Sequence, residues 1–179
     1  MGIEERPRSA NDRTELGHLE CDLVCFSTSS GAICHLIERK SRHALALKLP
    51  DKSAKATRLA LARGLRRLPR EMVRSLTFDN GLEFSQYYIL RESLGISTYA
   101  PQAHKLLPSL FILGEGRGGA SELPLRHYLL QNTDLSQLPQ SELNDIRNEL
   151  NCRPMAALGF NTPKEVLRYE WTRSVALHL

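Results

Sequence analysis

Between His18 and Leu49 the apolar residues come in strand-length runs separated only by short turns, and at Pro50 the period changes to that of an amphipathic helix. That switch limits the fold more than any other feature. His18 to Phe26 and Ala32 to Glu38, joined through Ser27 to Gly31, read as a hairpin, and His43 to Leu49 adds a third strand. Pro50 ends that strand and Ser53 is placed to cap a helix over Ala54 to Leu68, whose Leu61, Leu65 and Leu68 share one face and which Pro69 closes. Val73 to Phe78 gives a fourth strand, Leu82 to Ser93 a second helix stopped by Gly95, and Ile96 to Tyr99 a short fifth strand.

Three strands joined by tight turns, then helix, strand, helix, strand, describe an α/β fold. Its mixed sheet has three antiparallel strands first and is flanked by helices, in the order of a ribonuclease H-like domain. Farther on, Ser141 to Leu150 is helical, with Leu143, Ile146 and Leu150 on one face. Thr162-Pro163-Lys164-Glu165 then combines an N-cap, a first-turn proline and a capping-box glutamate, which starts a last helix. Residues 1–16 read as an irregular N-terminal arm, 17–170 as one domain and 171–179 as a tail, and 179 residues suffice for a single core.

No apolar run approaches the roughly 18–20 residues that span a bilayer, and the polar N-terminus lacks the apolar centre of a signal peptide. The expectation is a cytoplasmic protein with no membrane partner. Cys21, Cys25, Cys34 and Cys152 show no C-x-x-C spacing, so they read as reduced and buried rather than as zinc ligands. A net charge of +4 permits nucleic-acid binding without requiring it. Lys52, Lys55, Arg58, Arg63, Arg66, Arg67 and Arg70 lie on or beside the first helix, and Arg39, Lys40 and Arg42 crowd the turn before the third strand. Both groups read either as solvated faces or as contacts to DNA phosphates.

Two aspartates stand out. Asp22 sits mid-strand in Glu20-Cys21-Asp22-Leu23-Val24, among residues that otherwise belong to a core, and Asp79 ends the fourth strand just before the Asn80-Gly81 turn. If the first and fourth strands are neighbours, the two carboxylates face one site, as metal-assisted phosphoryl transfer requires. The alternative is a solvent-facing Asp22 on an edge strand and an Asp79 that only initiates a turn.

Several stretches resemble the integrase catalytic core of transposases of the insertion-sequence-thirty family. They are Glu4-Glu5-Arg6-Pro7, Gly17 to Val24, Leu36 to Arg42, Leu49 to Lys52, Thr77 to Phe84, Thr133 to Ser136, Leu150 to Pro154 and Leu158 to Val166. The resemblance implies an Asp-Asp-Glu triad holding two Mg2+ or Mn2+ ions. The partner it implies is DNA, both transposon ends and target, bound through the phosphate backbone by a possible homo-oligomer in the bacterial nucleoid. It maps the first two acids to Asp22 and Asp79 and puts the third near Leu113. Glu115, the nearest carboxylate, is assigned as third catalytic and metal-binding residue, with Glu122 or no residue at all as the alternatives. Residues 102–125 depart from the family and read as an out-of-frame or otherwise degenerate insert. Gly114-x-Gly116-x-x-Gly119 there imitates a dinucleotide-binding turn, but Pro124 interrupts the helix such a turn needs. The chain is also expected to lack the family's upstream helix-turn-helix region. The functional expectation is a transposase catalytic domain for DNA cleavage and strand transfer, impaired in this chain. The alternative is a catalytically inactive remnant that binds DNA nonspecifically or associates with an intact transposase.

Overall fold

The computed structural model describes residues 1–26, 29–79, 81–101, 125–129 and 133–176. Five strands, β1 (His18–Val24), β2 (Ala32–Glu38), β3 (Ala44–Leu49), β4 (Ser75–Thr77) and β5 (Ser97–Tyr99), form one sheet in the order β3-β2-β1-β4-β5. The β1–β2 and β2–β3 pairs are antiparallel, whereas β1–β4 and β4–β5 are parallel. This is the mixed sheet expected from the sequence, and the first and fourth strands are indeed neighbours.

The helices are α1 (Arg8–Asn11), α2 (Ala54–Leu65), α3 (Tyr87–Leu94), α4 (Leu125–Tyr128), α5 (Gln140–Cys152) and α6 (Pro163–Ala176). One face of the sheet, carrying Leu19, Cys21, Leu23, Cys34, Leu36, Leu76 and Phe78, is covered by Leu61 and Leu65 of α2 and Leu90 of α3. The other face packs Val24, Ile33 and Ala46 against Leu125, Leu135, Leu143, Ile146 and Leu150. Covering on both faces explains why all seven positions of β2 are buried and why apolar residues occupy both of its faces rather than alternate positions.

Local chemistry sets the ends of these elements. The Ser53 hydroxyl accepts from Ala56 N–H at 3.1 Å to start α2. That helix stops at Leu65, short of the expected Leu68, because the N–H groups of Arg67 and Leu68 turn to carbonyls only three residues back. Gly95 closes α3 at φ 64°, a left-handed cap that glycine takes without penalty. Leu82–Phe84 is a separate 3-10 turn, and α3 begins only at Tyr87. The tighter turn brings Phe84 into the core, its ring 4.9 Å from that of Phe78. At α6 the capping box forms as expected, with Thr162 N–H donating to Glu165 at 2.8 Å and Glu165 N–H donating back to Thr162 Oγ1 at 3.2 Å.

The N-terminal arm is more ordered than the sequence suggests. Ile3–Glu5 forms a 3-10 turn, α1 follows, Gly2 bridges to Ala100 beyond β5, and Ala10 is fully buried.

Candidate active site

The β1–β4 ladder pairs His18 with Ser75, Leu19 with Leu76 and Glu20 with Thr77, a constant offset of 57 residues. Continued one pleat past the last ladder pair, the same offset would bring Asp22 level with Asp79, which lies two residues beyond the end of β4. Phe78 N–H donates to Tyr99 O at 2.9 Å, so sheet bonding continues to the residue before Asp79. Alternation along β1 sends Cys21 and Leu23 into the core under α2 and leaves Asp22 on the opposite face with Glu20. Asp22 is half-buried, Asp79 exposed. The first and fourth strands are thus neighbours, as the pairing of the two aspartates requires.

Each carboxylate is held locally. Asp22 Oδ1 accepts from Leu23 N–H at 2.7 Å, and Asp79 Oδ1 accepts from Gly81 N–H at 2.9 Å, which fixes the turn out of β4. Beside Asp79 lies a cleft of about 390 Å3 lined by Gly81, Leu82, Tyr87, Ala100 and, from the arm, Met1 and Gly2. The Cys21 thiol registers the combined charge. Burial first, then Cys34, then Asp22 and Asp79 push it well above its ordinary value, so it stays protonated.

One pleat below the aspartates, the two strands are tied together. Arg6 donates to Thr77 Oγ1 at 3.4 Å and stands 4.0 Å from Glu20 Oε1, while Arg39 pairs with the same Glu20 oxygen and donates to Ala10 O at 2.7 Å. Burial, then Arg6, Arg13 and Arg42, lower the Arg39 guanidinium to about 10. Below that, His18 on β1 bonds Ser75 Oγ on β4 at 2.8 Å and Glu15 at 3.1 Å. These ties went unread in the sequence. The Glu20-x-Asp22 spacing was the available signal for one of them, since residues two apart on a strand share a face.

Glu115, Glu122 and the Gly114–Gly119 string lie outside the described residues, and among the described residues no group of three or more His, Cys, Asp or Glu is arranged to hold a metal. Two carboxylates on adjacent strands nonetheless suit a hard divalent cation. Mg2+ commonly takes one or two protein carboxylates and fills its octahedron with water and substrate phosphate. The described residues thus fit part of a metal-binding set.

The basic residues divide. Lys55, Arg63, Arg66, Arg67 and Arg70 are exposed along and beyond α2. In the β2–β3 turn, by contrast, Arg39 and Arg42 are buried and Lys40 pairs with Glu170 at 2.7 Å, so that cluster is committed to the fold. All four cysteines are free, as expected, but Cys152 at the end of α5 is exposed and Cys25 half-buried, so burial holds only for Cys21 and Cys34. No helix among the described residues is long and apolar enough to cross a membrane.

Comparison with known proteins gives concordant results. The transposase InsI of insertion sequence element IS30C from Escherichia coli K12 is 36% identical over 177 residues, covering 98% of this chain and 43% of that protein. The transposase of insertion sequence element IS1086 from Cupriavidus metallidurans is 34% identical over 167 residues, covering 93% and 48%. The chain therefore spans somewhat less than half the length of the curated relatives it matches. The catalytic core domain of BIV integrase superposes with a TM-score of 0.57 at 18% identity, covering 88% of this chain and 97% of that one, which establishes the fold. No family model matches.

Proposed function

For a chain related to insertion-sequence-thirty transposases over nearly all of its length, and folded as an integrase catalytic core, we propose the role of a DNA transposase core, with Asp22 and Asp79 as metal ligands in strand cleavage and strand transfer. The observation that carries this reading is the parallel pairing of β1 with β4, whose register, continued past Glu20 and Thr77, would bring Asp22 of β1 level with Asp79 just beyond β4. Bound Mg2+ or Mn2+ would supply the Lewis acidity that phosphodiester exchange needs. The protein's own part is positional. The Leu23 and Gly81 amides orient the carboxylates, the Arg6–Glu20–Arg39 ties fix the strand spacing, and the cleft beside Asp79 admits the DNA backbone. The exposed basic residues along and beyond α2 add affinity for phosphates without base readout. The reaction would take place on DNA in the bacterial cytoplasm, in a homo-oligomer or together with a longer transposase. The third acidic ligand would be Glu115, with Glu122 or no residue at all as the alternatives.

One observation favours a second reading. Residues 102–125 depart from the family just where its glutamate belongs, which suits a remnant that binds DNA without cutting it. Incubating the chain with nicked and supercoiled DNA under Mg2+ or Mn2+ separates the two. Metal-dependent nicking abolished by Asp79→Asn, with folding retained, supports the enzyme; DNA retention without nicking supports the remnant.

A further inference from the structure

The N-terminal arm begins at the candidate site, where Met1 and Gly2 line the cleft beside Asp79, and its Arg6 reaches Thr77 on β4. Farther along it, Arg13 is the first residue past the Asp12 cap of α1 and sits at φ 56°. Thr14 N–H donates back to Ser9 O at 3.0 Å, the pattern of a Schellman turn, whose left-handed residue is ordinarily glycine. An arginine there carries backbone strain that glycine would not.

The side chain gains nothing inside the fold in return. It is exposed, and among the described residues it makes no hydrogen bond or ion pair. Its charge instead repels the guanidiniums of Arg6, Arg39 and Arg42. The acids nearest to it in sequence are engaged elsewhere, Asp12 with Arg8 at 3.0 Å and Glu15 with His18 at 3.1 Å and Arg74 at 3.3 Å. Glu38 acts on Arg42, while Glu20 serves both Arg39 and, at 4.0 Å, Arg6. Arg6, Arg13 and Arg39 thus stand against the one carboxylate of Glu20. Arginine cannot relieve such an excess by losing its proton, so the charge calls for an anion from outside the chain.

Position says which anion. Glu20 precedes Asp22 by two residues on one strand and Thr77 precedes Asp79 by two on the other, so the cluster lies about 7 Å back along the sheet from the two carboxylates. We propose that Arg13, backed by Arg6 and Arg39, is a DNA-backbone contact, whose guanidinium takes a phosphate flanking the one presented to Asp22 and Asp79. The identity of the polyanion rests on the transposase-core reading. The contact stands beside Glu20, on the sheet face opposite α2, so it is separate from the cations of that helix. It adds affinity and sets the path of the strand without reading bases.

The test is fluorescence anisotropy of a labelled DNA duplex with the full chain, free of divalent metal and over a range of salt. Glycine suits the left-handed turn, so Arg13→Gly should hold or raise the urea midpoint. The same variant should weaken DNA binding roughly five- to tenfold near 0.1 M salt and lower the slope of log K against log salt by about one. Arg13→Lys keeps the charge and should keep most of that slope. Arg168→Gln removes an equal charge from an exposed site on α6 and should leave the slope nearly unchanged. The assignment is overturned if Arg13→Gly binds as the parent does, even in a chain that nicks DNA, or if Arg168→Gln costs as much as Arg13→Gly. Loss of binding in Arg13→Gly, in a parent that binds DNA and never nicks it, upholds the contact and counts against the enzymatic reading alone. A parent that binds no DNA at low salt overturns both.

Discussion

At the scale of single residues, position along a strand decides chemistry. Cys21 and Asp22 are neighbours in sequence, yet one points into the core and the other to the candidate site, because successive side chains leave a strand on opposite faces. The consequence is measurable in the cysteines. Cys21 and Cys34 are buried, and burial together with Cys34 and the two aspartates keeps the Cys21 thiol protonated, whereas Cys152 is exposed. Maleimide labelling of the native chain followed by mass mapping should modify Cys152 first and reach Cys21 and Cys34 only on unfolding. Labelling of Cys21 at the rate of Cys152 would contradict the packing of β1. The places of Asp22 within β1 and Asp79 just past β4 were legible in the sequence because a carboxylate inside or at the end of an apolar strand stands out. His35 was not, because its burial and unpartnered Nε2 arise from α5 and α6 closing over β2.

Secondary-structure elements show why some of the fold could be read and some could not. The order of strands and helices was legible because hydrophobic period, Pro50, Ser53 and Gly95 are local signals. The order of the arm is not legible in the sequence because its ties are remote. Arg6 reaches Thr77 across 71 residues, and Arg39 reaches Ala10 across 29. Arg6 therefore clamps β1 to β4 one pleat below the aspartates. Arg6→Ala should lower stability by roughly 1–3 kcal/mol, the range for losing hydrogen bonds to a charged, partly buried group. It should also speed amide exchange in β4 more than in β3, with Arg6→Lys recovering part of both effects. Urea denaturation and hydrogen exchange measure this, and an unchanged β4 would mean that the arm merely rests on the sheet.

For the molecule as a whole, two histidines set the acid limit. His35 and His43 are lowered to about 4, His35 by burial and then Arg42, His43 by burial and then Arg147 and Lys164, so both fold neutral. In the unfolded chain they protonate near 6.5, and the unfolded state therefore binds more protons below that pH. Their contribution is complete above about 6.5 and is lost as pH falls toward 4, at up to about 1.4 kcal/mol per pH unit for each group. Urea midpoints taken between pH 7.5 and 5 should fall steadily, and a flat profile would place both rings in water. The proposed chemistry depends on Asp22 and Asp79 acting as one carboxylate pair. Its most direct test is Mn2+ affinity, measured by electron paramagnetic resonance on the parent chain and on Asp22→Asn, Asp79→Asn and the double variant. Each single change should weaken binding at least about tenfold with the fold intact, and the double change should cost less than the two singles combined, because both ligate one site. Affinity equal to the parent's in either single variant would contradict a metal held between β1 and β4.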